Sequence, residues 1–218
     1  MNYTSSVEEI INEMPFNKIF NSKELYIQYK LTMNEKTYYK ILSRLVQEHV
    51  LSHLTKGLYY RIKKTIFGEV PIDEKSITDY FTDNGCGIII GYRLYNSLGL
   101  TTQISKNIEI LSNKQDEDIK HIQNIEVKKI GFIPDKKTIK LVECMDVIQN
   151  YNKIEDLDTG KFCDYIYDVS KCYSDDSFDI VLKHIKYKKS TIAFFHHLLL
   201  ILRSHDPAPL RQFPYLQL

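Results

Sequence analysis

The hydrophobic positions near the start of the chain recur at helical spacing. They predict a helix over residues 5–14 capped by Ser5 or Ser6, a short helix capped by Ser22, and a third helix over 35–48 after a turn at 32–34. In the third helix, apolar and aromatic side chains three or four positions apart should face a core: Tyr38, Ile41, Leu42 and Leu45. The first part of this segment is therefore predicted to be helical.

The spacing changes after residue 49, where apolar side chains take a pattern typical of strands. Residues 50–54 and 58–62 predict two strands, and Gly57 between them permits the positive φ of a tight hairpin turn. Helices in tandem followed by a hairpin predict a winged helix-turn-helix. In such a domain the helix over 35–48 would enter the major groove of DNA, and the hairpin would contact the phosphate backbone.

Charge is distributed unevenly along a chain whose net charge is only +1. The segment between Pro15 and Gly68 contains ten Lys and Arg residues but only three Glu residues, which gives a local excess of seven positive charges. Lysines on the surface of one helix are common, so the helix over 35–48 alone would favour a merely solvated face. The additional cations on the hairpin favour DNA binding, because they could contact the phosphate backbone. The residues predicted to contact DNA are Lys36, Thr37, Lys40, Ser43, Arg44, Lys56, Arg61 and Lys63.

The remainder of the chain predicts a mixture of strands and helices. Strands are expected at 87–91, 108–111 and 124–130, and helices at 92–98, 138–149 and, as one or two helices, 177–203. Tyr95 and Leu98 should face inward, and Gly99 should end the first of these helices in the left-handed conformation. Cys163 and Cys172 are expected to be small buried side chains.

The predicted fold class is therefore α+β, with an N-terminal winged helix-turn-helix over 1–66 and a mixed α/β domain over 67–204. The two would be joined near residues 64–71. Residues 205–218 hold half of the six prolines and no Lys. We expect them to be a non-native or disordered tail, with a native proline-rich extension as the alternative.

No catalytic motif stands out in the sequence. It has no Walker A, GxGxxG, HExxH or GxSxG string, and residues 85–87 precede a strand, which indicates a turn rather than a phosphate loop. The acidic stretches at 155–158 and 175–176 lack the spacing of a calcium loop, so loop and cap roles are favoured. Adjacent His196 and His197 could not easily share a metal on one helix, which favours a buried or helix-flank role for at least one of them. We therefore expect no enzyme activity, cofactor or metal.

Cysteine usage and hydropathy bear on where the protein works. The four cysteines show no zinc-ligand spacing and no apolar signal segment opens the chain, so free thiols in a reducing cytoplasm are expected. The longest apolar stretch, 192–202, is too short to span a bilayer. No membrane association is expected.

Several strings resemble a known family. They are SRLV at 43–46, KGLYY at 56–60, FGEVP at 67–71, GYRLYNSLGLTTQ at 91–103 and NIEI at 107–110. In this order they resemble the AbiEi-like antitoxins of bacterial type IV toxin/antitoxin and abortive-infection systems, over about residues 1–150. KGLYY and LGLTTQ in combination are fairly specific.

The resemblance implies a protein with two tasks. A winged helix would bind inverted repeats in double-stranded DNA of the protein's own promoter and repress it, and the C-terminal domain would counteract a nucleotidyltransferase-like toxin without needing a stable complex. The chain lacks the Gly-Ser and spaced carboxylates of a nucleotidyltransferase, which argues that it is not the toxin itself.

Two other interpretations remain open. One is a plain winged-helix transcriptional regulator whose C-terminal domain senses a ligand or forms a dimer. The other is an effector enzyme that the winged helix targets to DNA. A nucleotidyltransferase-like reading frame directly downstream would favour the antitoxin. The sequence leaves the operator and the oligomeric state open.

Overall fold

The fold is mixed α+β in a computed structural model that describes residues 3–28 and 33–204. The chain divides into two compact units between Tyr80 and Phe81, and each is described by itself. The sequence pattern predicts this division after residue 66. Thr32 of the predicted turn and the tail at 205–218 lie outside the described residues.

Unit 1, which ends at Tyr80, combines three helices, and most of a fourth that crosses the division, with two small sheets. Its elements are α1 (Tyr3–Glu13), β1 (Ile19–Asn21), α2 (Ser22–Gln28), α3 (Glu35–Gln47), β2 (Leu51–Thr55), β3 (Leu58–Arg61), β4 (Lys63–Thr65) and β5 (Gly68–Val70). Strands β1, β3 and β2 form an antiparallel sheet in that order, and β4 pairs with β5 as a separate hairpin. The predicted third helix and first hairpin are confirmed.

Asparagine side chains cap two of these helices. Asn34 Oδ1 accepts from Lys36 N at the start of α3, and Asn21 Oδ1 accepts from Lys23 N at 2.9 Å at the start of α2. The prediction that Ser22 caps α2 is therefore wrong. Ser22 is buried and donates its backbone N–H to Gly57 O at 2.9 Å, which ties α2 to the β2–β3 turn. The predicted caps Ser5 and Ser6 lie inside α1, which begins at Tyr3.

The core of unit 1 forms around the inner face of α3. Its four predicted core residues are buried, and Tyr38 is fully enclosed. The Tyr38 hydroxyl donates to Ser22 O at 2.9 Å, so the buried polar group is satisfied. Val7 and Ile11 of α1 pack into the same cluster. The outer face of α3 is therefore fixed by the burial of its inner face.

Unit 2 begins at Phe81 and places helices against a four-stranded sheet. Its elements, with α4 spanning the division, are α4 (Glu74–Thr82), β6 (Gly87–Ile90), α5 (Tyr92–Ser97), β7 (Ile108–Ser112), β8 (Ile119–Ile122), β9 (Ile125–Lys129), α6 (Lys136–Asn150), α7 (Thr159–Cys172), α8 (Asp175–His184) and α9 (Lys189–Ser204). The strand order is β6–β7–β9–β8, with only the β7–β9 pair parallel among the described strands. Helix α4, strand β8 and helix α7 have no counterpart among the elements predicted from the sequence.

Helix α6 is the central element of unit 2. Asp135 and Thr138 form a capping box at its start, and its inner face contributes Leu141, Val142 and Met145 to the core. Helices α7, α8 and α9 pack against it. Hydrophobic side chains therefore cover α6 on most of its circumference.

The segment between β6 and β7 is held by hydrogen bonds to α6. Asp146 Oδ2 accepts from Gly91 N at 2.9 Å and from the Tyr95 hydroxyl at 2.8 Å. Tyr95 is buried and Leu98 half-buried, and Gly99 has φ +68°, which confirms the predicted end of α5. This anchoring fixes the turn that follows α5.

Two further observations bear on the expectations from sequence. Cys172 is exposed, so its predicted burial is wrong, because the last turn of α7 ends beyond the core; Cys163 is half-buried. Within residues 3–28 and 33–204, no helix is long and apolar enough to cross a membrane.

Candidate nucleic-acid interface

The outer face of α3 gathers five of the eight predicted DNA contacts. They are all exposed: Lys36, Thr37, Lys40, Ser43 and Arg44. Tyr39 and Gln47 line the same shallow surface depression, and the sequence prediction missed both. Their spacing from Lys36 and Lys40 is helical, so a helical projection of α3 could have found them.

Arg44 is not an isolated positive charge on this face. Its Nη2 is paired with Glu8 Oε1 of α1, and its Nε lies 3.4 Å from Glu48 Oε1 one turn further along α3. Lys36 and Lys40 form no ion pair with any described residue. The C-terminal half of the face is therefore partly neutralised, whereas in the N-terminal half the unpaired Lys36 and Lys40 share the depression with the exposed carboxylate of Glu35.

Lys56 lies exposed in the turn of the β2–β3 hairpin, beside Gly57. Gly57 has φ +77° and nothing lies within 4 Å of the position of a Cβ there, so the turn needs glycine for its backbone conformation and not for space. The tip is fixed because Gly57 O accepts the bond from Ser22 N. Lys56 is thus held next to the start of α2.

Arg61, a predicted DNA contact, is instead held by the protein. Its Nη1 donates to Met14 O at 2.7 Å, and its guanidinium lies 4.2 Å from the ring centroid of Phe16. This cation–π contact and the hydrogen bond connect β3 to the segment that follows α1. The charge pattern could not show this, because both partners come from a distant part of the sequence.

Lys63 lies on the second hairpin, apart from the other predicted contacts. In the β4–β5 hairpin Lys63 lies opposite Val70, and Lys64 lies opposite Glu69. The carboxylate of Glu69 is 2.9 Å from His49 Nδ1. Strand β3 runs from the Lys56 turn towards Lys63, so the two lysines lie at opposite ends of that strand. The structure therefore brings together the α3 face but not the whole predicted set.

The predicted cap role is confirmed for Asp158 but not for the stretch at 175–176, because Ser174 caps α8. Asp158 Oδ1 accepts from Lys161 N at 3.0 Å and caps α7, and Asp175 and Asp176 lie in the first turn of α8. His196 and His197 are both exposed on α9. Among the residues that the structure describes, no group of three or more His, Cys, Asp or Glu side chains could hold a metal ion.

Comparison with known proteins adds no family to these observations. No protein-family model matches the chain, and no curated protein sequence matches it. The resemblance to AbiEi-like antitoxins therefore rests on the sequence strings alone.

Proposed function

We propose that unit 1 is a winged helix-turn-helix that binds double-stranded DNA in the promoter of the protein's own gene. In this proposal α2 and α3 are the helix-turn-helix, α3 is the recognition helix, and β2 and β3 form the wing. The observation that supports it is the outer face of α3, where Lys36 and Lys40 are exposed and unpaired among the described residues, with Lys56 at the hairpin tip.

The dimensions of α3 fit the proposed role. A helix of 13 residues is about 20 Å long, and an α-helix fits the width of the major groove. Lys36 and Lys40 occupy its N-terminal half, the part of a recognition helix that reaches base edges. Thr37 and Ser43 would add short hydrogen-bonding groups, and Lys56 would contact phosphate.

Arg44 has a conditional place in this arrangement. Its pairing with Glu8 means that a DNA contact requires it to exchange one carboxylate for a phosphate or a guanine. Arg61 acts in the fold, through Met14 and Phe16, rather than at the DNA. Lys63 contributes at most to the general positive field of unit 1.

We further propose that the chain represses its own promoter and acts as the antitoxin of a type IV-like system, in the cytoplasm. Support comes from the string at 91–103, whose final turn is firmly held. Asn96 Nδ2 donates to Thr101 O at 3.2 Å, and Thr101 Oγ1 donates to Glu155 O at 2.7 Å. A turn fixed in this way offers a defined surface through which unit 2 would counteract a nucleotidyltransferase-like toxin, with or without a stable complex.

The experiment that tests the proposal has two arms. Binding of the full chain to a duplex from its own upstream region is measured by fluorescence anisotropy, with a shuffled duplex as control. Cells that express the neighbouring toxin gene are then scored for growth with and without the chain. Specific binding together with rescue supports the proposal. Specific binding without rescue would leave a plain regulator, and no specific binding would reject the DNA-binding role.

The second candidate function is a transcriptional regulator with a ligand-sensing C-terminal domain. One observation favours it, namely a cavity in unit 2 that contains a half-buried carboxylate, Glu143. In this version the DNA-binding unit is unchanged, and unit 2 would modulate it.

A further inference from the structure

Unit 2 contains a cavity of about 540 Å³ between its sheet and two of its helices. Apolar side chains form much of its wall: Ile88 and Ile89 from β6, Leu94 from α5, Ile139 from α6, and Ile104. Ile104 is 77 % exposed, so an isoleucine of the cavity wall remains largely in contact with water. The size lies within the range of pockets that bind small molecules.

Glu143 of α6 brings a carboxylate into this mainly apolar wall. The side chain is half-buried, and it has no hydrogen-bond or ion-pair partner among the described residues. Burial raises the pKa of Glu143 to about 7, although Lys140, one turn earlier on α6, acts in the opposite direction. A carboxylate held in this way is costly to ionise unless a positive charge reaches it.

The other titratable groups near Glu143 do not supply that charge. Cys144 on α6 and Tyr165 on α7 have pKa values raised by burial, so both stay neutral near pH 7. Arg93 of α5 also lines the cavity, where it is exposed and takes part in an interaction of its own. None of the described residues of β6, α8 or α9 contributes a charge that shifts it either.

We propose that this cavity binds a small organic cation, whose amino or guanidino nitrogen pairs with Glu143 and whose apolar body packs against Ile88, Ile104 and Ile139. The cation stabilises the ionised carboxylate, and the proton that Glu143 carries in the empty cavity passes to solvent. A ligand of this kind also covers the exposed side chain of Ile104. The site lies wholly within unit 2.

A small alkylammonium ion is the simplest probe of this site. The full chain is titrated with hexylamine hydrochloride, and 1-hexanol serves as the neutral molecule of the same length. We expect hexylammonium to bind at least tenfold more tightly than hexanol at pH 8. Its affinity should fall about tenfold from pH 8 to pH 6, because protonation of Glu143 competes with the cation.

Three variants separate the charge from the apolar wall. Glu143→Gln should weaken hexylammonium binding at least tenfold at pH 8 and abolish its pH dependence. Ile104→Ser should weaken hexylammonium and hexanol by a similar factor and leave the pH dependence in place. Glu117→Gln, an exposed loop substitution, is the matched control and should change nothing.

The titration of the Glu143 side-chain carboxyl, followed by NMR with labelled glutamate, is a readout on the unmodified chain. Saturation with hexylammonium should lower the pKa of Glu143 by at least one unit. Equal affinities for hexanol and hexylammonium, binding that does not depend on pH, or unchanged binding by folded Glu143→Gln would each overturn the proposal, as would no binding of hexylammonium at millimolar concentration.

Discussion

The guanidinium of Arg44 on α3 is paired with the carboxylate of Glu8 on α1. Both side chains are at least one-third exposed, at 43 % and 35 %, so the pair adds little to stability. In the proposed complex its effect on DNA binding would be larger, because it places a carboxylate at the edge of the face that we propose enters the major groove. Glu8 therefore limits the positive potential of that face.

Removal of this carboxylate should strengthen DNA binding. Glu8→Gln leaves Arg44 paired with Glu48 alone and removes one negative charge near the phosphates, so we expect promoter affinity to rise severalfold and the dependence on salt to become steeper. Glu13→Gln, on the same helix and also exposed, is the matched control. Anisotropy titrations at several salt concentrations measure both effects. Equal affinities of the two variants would place Arg44 and Glu8 outside the interface.

We expect Lys56 to act in DNA binding and Arg61 to act in the stability of the fold. Lys56→Ala should weaken binding to all sequences alike and lower the salt slope by about one, with stability unchanged. Arg61→Ala should reduce the free energy of unfolding by roughly 1–2 kcal/mol, since it loses the bond to Met14 O and the contact with Phe16. Urea unfolding and salt titrations of both variants test the division; a reversal of the two effects would contradict it.

Stability should fall as the pH rises from about 4.5 to 7. Burial raises the pKa of Glu143 to about 7 and raises the pKa of Asp146, so both groups bind protons more tightly in the folded chain than in the unfolded chain. Their contribution is complete below the unfolded pKa and is lost as the pH passes the folded pKa. Glu143→Gln should therefore stabilise the chain at pH 8, by up to roughly 3 kcal/mol.

Urea unfolding at pH 5 and pH 8 measures this effect, with Glu117→Gln as the exposed control. The wild type and Glu143→Gln should differ more at pH 8 than at pH 5. A larger difference at pH 5 would show that Glu143 is not desolvated in the folded chain.

A substitution at Gly99 should separate the two proposed activities, rescue from the toxin and repression of the promoter. Its φ of +68° disfavours a branched side chain, and a Cβ there would lie 3.2 Å from Lys161 Nζ, so Gly99→Val should cost roughly 1–3 kcal/mol and disturb the following turn. Rescue from the neighbouring toxin should fail, whereas repression of a promoter reporter by unit 1 should persist. If the Gly99→Val variant loses repression but still rescues cells, our assignment of the two activities to the two units is wrong.

Local patterns in the sequence are sufficient to predict α3, the β2–β3 hairpin and α6. In α3 the helical spacing of Tyr38, Ile41, Leu42 and Leu45 determined both the buried face and the exposed one. Helix α7 was missed because only Ile166 and Val169 are fully buried along its length, so its pattern is weak. Strand β1 was missed because three residues carry too little periodicity.

The interaction partners of individual side chains could not be predicted from the local sequence pattern. Arg44 meets Glu8 and Arg61 meets Met14 only after distant segments pack together. The cavity around Glu143 likewise combines β6, α5 and α6, which are separated along the chain. Such tertiary contacts distinguish a DNA-facing cation from a structural one, and they have no signature within a short window of sequence.

The most direct test of the account measures promoter binding by full-length chains that differ only in two lysines. The wild type should bind its own upstream duplex about a thousandfold more tightly than a shuffled duplex at physiological salt. Lys36→Ala combined with Lys40→Ala should abolish most of this preference and lower the salt slope by about two, whereas Lys136→Ala with Lys137→Ala, on the exposed start of α6, should change neither. The same affinity and slope for both double variants would contradict the account.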